Sequence, residues 1–168
     1  MLIKTLFFCV LVSHGLTQSC LAQNLVLLPS EMLKLVPGRV KGFQNTIEPK
    51  ASQIHIGTLT YSLCEMNLFS GKRTVKILLF DFKEASIMYN QATRNWNTQP
   101  IIETDSLVER SLELANCKGW ESASKKSKTT KLFLGISDRF FLTITGENVA
   151  LDELRLILDT FPLSEFPK

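Results

Sequence analysis

Thr74–Phe82 reads TVKILLFDF. Alternate residues of a strand face opposite sides, and here both sides are apolar: Val75, Ile77 and Leu79 on one, Leu78, Phe80 and Phe82 on the other. A strand of that kind cannot border water on either face. It belongs at the centre of a sheet covered on both sides, so the chain must supply further strands to flank it and helices to cover it.

The flanking strands are legible in alternation. Ser52–Phe69 (SQIHIGTLTYSLCEMNLF) places Ile54 and Ile56 in one phase and Leu59, Tyr61 and Leu63 in the other, with Gly57 at the switch. Such a phase change marks a β-bulge or two short strands. Ser70-Gly71-Lys72 reads as a hairpin turn into the central strand. Lys131–Gly146 (KLFLGISDRFFLTITG) alternates twice, through Leu132, Leu134 and Ile136 and then Phe140, Leu142 and Ile144, around an Asp138-Arg139 connector. That is an antiparallel hairpin with one apolar face. Leu107–Ala123 fits either helix or strand, and the β-rich surroundings favour strands.

Three segments carry helical spacing. Leu28–Gly38 (LPSEMLKLVPG) predicts a short helix capped by Ser30 and stopped at Pro37-Gly38. RVKGFQ then leads into a first strand, and NTIEPKAS reads as loop. Glu84–Asn97 predicts a helix with Ala85, Met88, Tyr89, Ala92 and Trp96 as its core stripe. Asn148–Phe161 predicts a second, with Asn148 as cap, Leu151, Leu154, Ile157, Leu158 and Phe161 buried, and Pro162 as its stop. The five carboxylates between Ser137 and Phe161 are then accounted for by a turn, a cap, a helix dipole and a polar helix face. The whole reads as an α+β fold, a largely antiparallel β-sheet with helices packed on it.

The ends set an expectation about location. Lys4, the apolar run Leu6–Val12 and the small residues Cys20 and Ala22 before Gln23 have the pattern of a secretory signal peptide. This predicts a signal over residues 1–22, a single domain over 23–168 and a secreted or periplasmic protein. Cys20, after Ser19, leaves a lipoprotein anchored at Cys20 as the alternative, although Thr17 stands where such signals usually carry Leu. Nineteen basic against sixteen acidic residues give a net charge of +3, or +2 without Lys4. So slight an excess does not suggest a nucleic-acid partner. The local exception is KKSKTTK. Lys125, Lys126 and Lys128, with Lys131, form either a solvated loop or a contact for an anionic surface.

The order of elements, together with DRFFLTITGENVALDEL near the C-terminus, resembles the PsbP-like fold, the α/β/α sandwich of a photosystem extrinsic subunit and of many secreted bacterial proteins. The resemblance implies a non-catalytic binding or assembly role. It carries no site residue across, because no diagnostic motif is present.

Side chains suited to chemistry are sparse. His55 is alone once His14 is assigned to the signal, and neither Cys-x-x-Cys nor His-Glu-x-x-His spacing occurs. No Gly-x-Ser-x-Gly elbow or Gly-rich phosphate loop is present. Glu65, Asp81, Glu103 and Asp105 are available as an acid–base couple only if the fold brings two together. No catalytic residue, metal or cofactor is therefore expected, and a hydrolase is left as the last alternative to a binding module or carrier. Trp96 and Trp120 read as core or rim, with an exposed aromatic partner site as the sharper alternative. A pocket between helix and sheet, lined by Met88, Trp96 and Phe80, would suit a small-ligand or lipid carrier; a flat patch would suit another envelope protein. Export makes a Cys64–Cys117 disulfide the expectation, against two buried free thiols.

Overall fold

The computed structural model describes residues 25–114 and 117–168; the signal peptide expected over residues 1–22 and the alternative anchor at Cys20 fall outside the described residues. The strands are β1 (Gln44–Asn45), β2 (Lys50–Ile56), β3 (Leu59–Ser70), β4 (Arg73–Glu84), β5 (Ile102–Glu103), β6 (Leu107–Leu114), β7 (Cys117–Ser124), β8 (Thr129–Ile136) and β9 (Phe140–Glu147). The α-helices are α1 (Pro29–Met32), α2 (Ser86–Thr93) and α3 (Leu151–Leu158). Among the described residues all nine strands join one antiparallel sheet in the order β1-β3-β4-β9-β8-β7-β6-β5, with β2 also paired to β3. The fold is α+β.

β4 holds the place its sequence requires, between β3 and β9. On one face, Val75, Ile77 and Leu79 join Leu132, Leu134, Leu142 and Ile144 in the main core, which Met32 of α1 and Leu154, Ile157 and Leu158 of α3 cover. Each such side chain contributes roughly 1.5–3 kcal/mol on burial, so α3 is held by its apolar stripe. On the other face, Phe80 and Phe82 pack beneath Ala85, Met88 and Tyr89 of the α2 region.

The β2–β3 switch resolves as two strands with Gly57 in the turn, at φ +60°. β6 and β7 confirm strands over the ambiguous region. Several local expectations are corrected. The first helix is capped at Leu28, not Ser30, because Pro29 takes its first position; Glu31 accepts the Leu28 N–H at 2.8 Å. α3 starts after Ala150, not Asn148. Asn148 instead turns the chain at φ +56° and donates from its amide to Lys72 O at 3.0 Å. Lys50–Ser52 are strand rather than loop, paired with Leu63–Glu65. α2 ends at Thr93, short of Trp96, and Ala92 is exposed.

The disulfide is also corrected. Cys64 and Cys117 are both buried free thiols. Cys64 lies on β3 and Cys117 on β7, with β4, β9 and β8 between them. Four strand spacings of ~4.8 Å separate them by about 19 Å, far beyond the ~7 Å between α-carbons that a bridge tolerates.

Candidate functional site

α2 crosses only part of its sheet face. Beneath it runs a row of rings: Tyr61 and Phe82 with centroids 5.6 Å apart, Phe82 stacked on Phe80 at 5.2 Å, Phe80 against Phe141 at 6.2 Å, and Phe141 stacked on Phe133 at 6.3 Å. Trp96, just past the end of α2, stacks on Phe141 at 6.0 Å. Gly135 makes this seating possible. A β-carbon there would come 2.5 Å from the Tyr89 hydroxyl and 3.2 Å from the Trp96 ring.

Beside this seat opens a cleft of about 570 Å³. Tyr89, Trp96 and Gly135 form its aromatic wall and floor; Asn90, Thr93 and Asn97 line it from α2 and the segment after it. Glu113 and Lys118 face in from β6 and β7, and Ser137 and Asp138 from the β8–β9 turn. Tyr89 is buried, and burial followed by the neighbouring Asp138 carboxylate pushes its phenol up to about 12. It is neutral at physiological pH and able to donate a hydrogen bond. Cys117 also lines the cleft, its thiol raised by burial. The arrangement offers a flat ring and converging amide, hydroxyl and charged groups, which together can bind and orient a molecule.

The remaining candidates are dispersed. His55 is exposed on β2, its Nδ1 3.0 Å from the Thr60 hydroxyl. Glu65 pairs with Lys76 at 2.9 Å, and that hydrogen bond above all lowers its pKa. Asp81 pairs with Arg139 at 2.7 Å and Glu103 with Arg110 at 3.0 Å, while Asp105 is exposed between β5 and β6. Three of the four carboxylates are thus each paired with a basic side chain. Buried Glu121 is held by Arg110 and by Arg155 of α3, which tie the helix to the sheet. Among the described residues no group of three or more His, Cys, Asp or Glu is disposed to hold a metal ion, and no helix is long and apolar enough to cross a membrane.

Of the two tryptophans, only Trp96 reaches the cleft; Trp120 is 5 % exposed, so it forms no exposed aromatic patch. Met88 of α2 and Phe80 of β4 pack against the Phe82–Ala85–Tyr89 cluster instead of lining the opening. Lys125, Lys126 and Lys128 are exposed in the β7–β8 turn, at the opposite end of β8. Tyr89 enters the sequence reading only as core stripe, and Gly135 not at all. A glycine inside a strand is a known mark of close approach by another group, and that signal could have located the cleft. Comparisons of the chain with family models, with curated proteins and with solved structures find no match.

Proposed function

We propose that the chain is an exported, non-catalytic binding module of PsbP-like kind, and that it takes its ligand in the cleft beside α2. The observation that carries this reading is the cleft's build. At about 570 Å³ it falls in the usual range of ~300–1,000 Å³ for small-molecule sites. Its ring wall is preset by Gly135, and its polar groups come from separate elements. Binding is favoured over catalysis because Glu65, Asp81 and Glu103 are engaged by Lys76, Arg139 and Arg110, and neither they nor Asp105 and His55 line the cleft. A molecule with a flat apolar face and a hydrogen-bonding rim suits this lining better than a bare acyl chain, since Asn90, Asn97, Lys118 and Asp138 would otherwise face hydrocarbon unpaired. Export rests on Lys4, the run Leu6–Val12 and the small residues ending at Ala22.

The test is ligand capture by the full chain. The wild-type chain and Trp96→Ala are each incubated with envelope extract and recovered, and bound small molecules are released by denaturation and identified by mass spectrometry. The wild type is expected to carry a species depleted at least tenfold in the variant, with circular dichroism showing both folded. Equal recovery from both would refute the cleft as the site.

A further inference from the structure

Another concave surface lies at the far end of β8. It is a dish of about 520 Å³ floored by Ala123, Val149, Ala150 and Leu151, with Lys125 and Lys128 on its rim. The lysine loop is pinned on both sides. Lys125 N–H donates to Ser106 O at 2.9 Å, and Lys128 O accepts the Asn148 N–H at 2.9 Å. The floor is fixed by the buried Thr130 hydroxyl, which donates to Val149 O at 2.9 Å. The carboxylates of the adjoining helix turn are already engaged: Asp152 with Arg155 at 2.9 Å and Glu153 with Arg73 at 2.5 Å.

We propose that this dish is a docking site for an anionic lipid, the two lysines taking the headgroup charge and the Val149–Leu151 floor taking the adjacent methylenes. Each half of the site excludes an alternative. A neutral lipid would leave the two cations without a counter-charge, and a charged polymer would lie over an apolar floor it cannot use. The proposal shares no residue with the cleft and stands apart from that reading. It adds an orientation: Thr130 and Gly135 are five residues apart on one strand, so at ~3.4 Å per residue about 17 Å separates dish from cleft. A chain docked by its lysine end keeps the cleft away from the lipid surface.

The experiment is vesicle co-sedimentation of the full chain on phosphatidylcholine with and without phosphatidylglycerol. Every variant retains residues 1–24, so their contribution is common to all. Binding is expected to be stronger on the anionic vesicles than on the neutral ones, and the excess is expected to weaken with salt. Lys125→Gln with Lys128→Gln should weaken it roughly twenty-fivefold, about fivefold per lysine. Lys126 carries the same charge in the same loop but does not line the dish, so Lys126→Gln should cost less than either rim substitution. Ala150 caps α3 and is exposed. Both Ser and Asp are favoured caps, so Ala150→Ser and Ala150→Asp keep the fold. Ser should leave binding intact, and Asp, which puts a negative charge on the floor, should abolish it. Equal binding to neutral vesicles, a Lys126→Gln loss as large as the rim losses, or undiminished binding by Ala150→Asp would overturn the proposal. Polyphosphate bound as tightly as vesicles would assign the lysines to a polymer and overturn it as well.

Discussion

Arg139 grips Asp81 with both prongs of its guanidinium, Nε to Oδ1 and Nη2 to Oδ2, each at 2.7 Å, with the two side chains 5 % and 0 % exposed. The pair also organises its neighbours. Asp81 accepts the N–H of Leu27 at 2.7 Å, Arg139 donates to Leu25 O at 3.2 Å, and the Ser62 hydroxyl donates to Leu27 O at 2.5 Å. Two strands and the start of the described chain are thus tied at one buried point. Removing either partner alone strands a buried charge, at a cost of about 3–5 kcal/mol. Asp81→Ala and Arg139→Ala are each expected to lose that much in urea unfolding, and the double variant to lose clearly less than their sum. Additive losses would mean that the pair does not act as a unit.

The thiols give a second prediction. With about 19 Å between Cys64 and Cys117, set by four strand spacings, both should alkylate in guanidinium without reductant, and reductant should leave the Tm unchanged. Peptide mapping that finds the two joined would overturn the strand order.

Alkaline pH gives a third. Cys64 is pushed from 9.0 to about 11 by burial, and Tyr89 from 10.0 to about 12 by burial and then Asp138. In both, folding favours the neutral form. Their contribution is therefore full below the unfolded values and is lost as pH rises through the folded ones, a window from pH 9 to 12. At about 1.4 kcal/mol per unit the loss is on the order of 2–3 kcal/mol for each. The chain has two tyrosines, so in Tyr61→Phe the phenolate absorbance reports Tyr89 alone and should rise near pH 12. A midpoint near 10 would show that Tyr89 is neither buried nor beside Asp138.

Two glycines give a fourth, as a ranking. A β-carbon at Gly119 would come 2.1 Å from the Phe133 carbonyl oxygen, which is backbone, whereas at Gly135 the clash is with the ends of the Tyr89 and Trp96 side chains. Side chains yield more readily than a sheet. Gly135→Ala is expected to cost about 1–3 kcal/mol and to displace Trp96, and Gly119→Ala to cost more. Thermal melts of the two variants settle the order.

The elements that repeat a local pattern are legible in the sequence. The alternations through Leu132–Ile136 and Phe140–Ile144 become β8 and β9, and the doubly apolar Thr74–Phe82 becomes part of the central β4. What depends on partners remote in sequence is not. Arg139 reads as a hairpin connector because Asp81 lies 58 residues away, and no period in either segment points to the other. The cysteines share a sheet face but not an edge, and chain separation alone cannot tell these apart. Both misplaced caps, Ser30 and Asn148, sit beside a backbone feature that outranks side-chain preference: a Pro at the first helical position and a left-handed turn. The cleft is the least legible part, since its lining comes from α2 with its following segment, β6, β7, β8 and the β8–β9 turn.

The central claim is that Trp96 forms the wall of a binding cleft. The chain has two tryptophans, and Trp120 is buried, so Trp120→Phe leaves Trp96 as the sole emitter. The direct measurement is acrylamide quenching of this variant, with and without the species captured from envelope extract. The account predicts ready quenching in the free protein and a quenching constant at least halved when the ligand is bound. A constant that does not change on binding would contradict it.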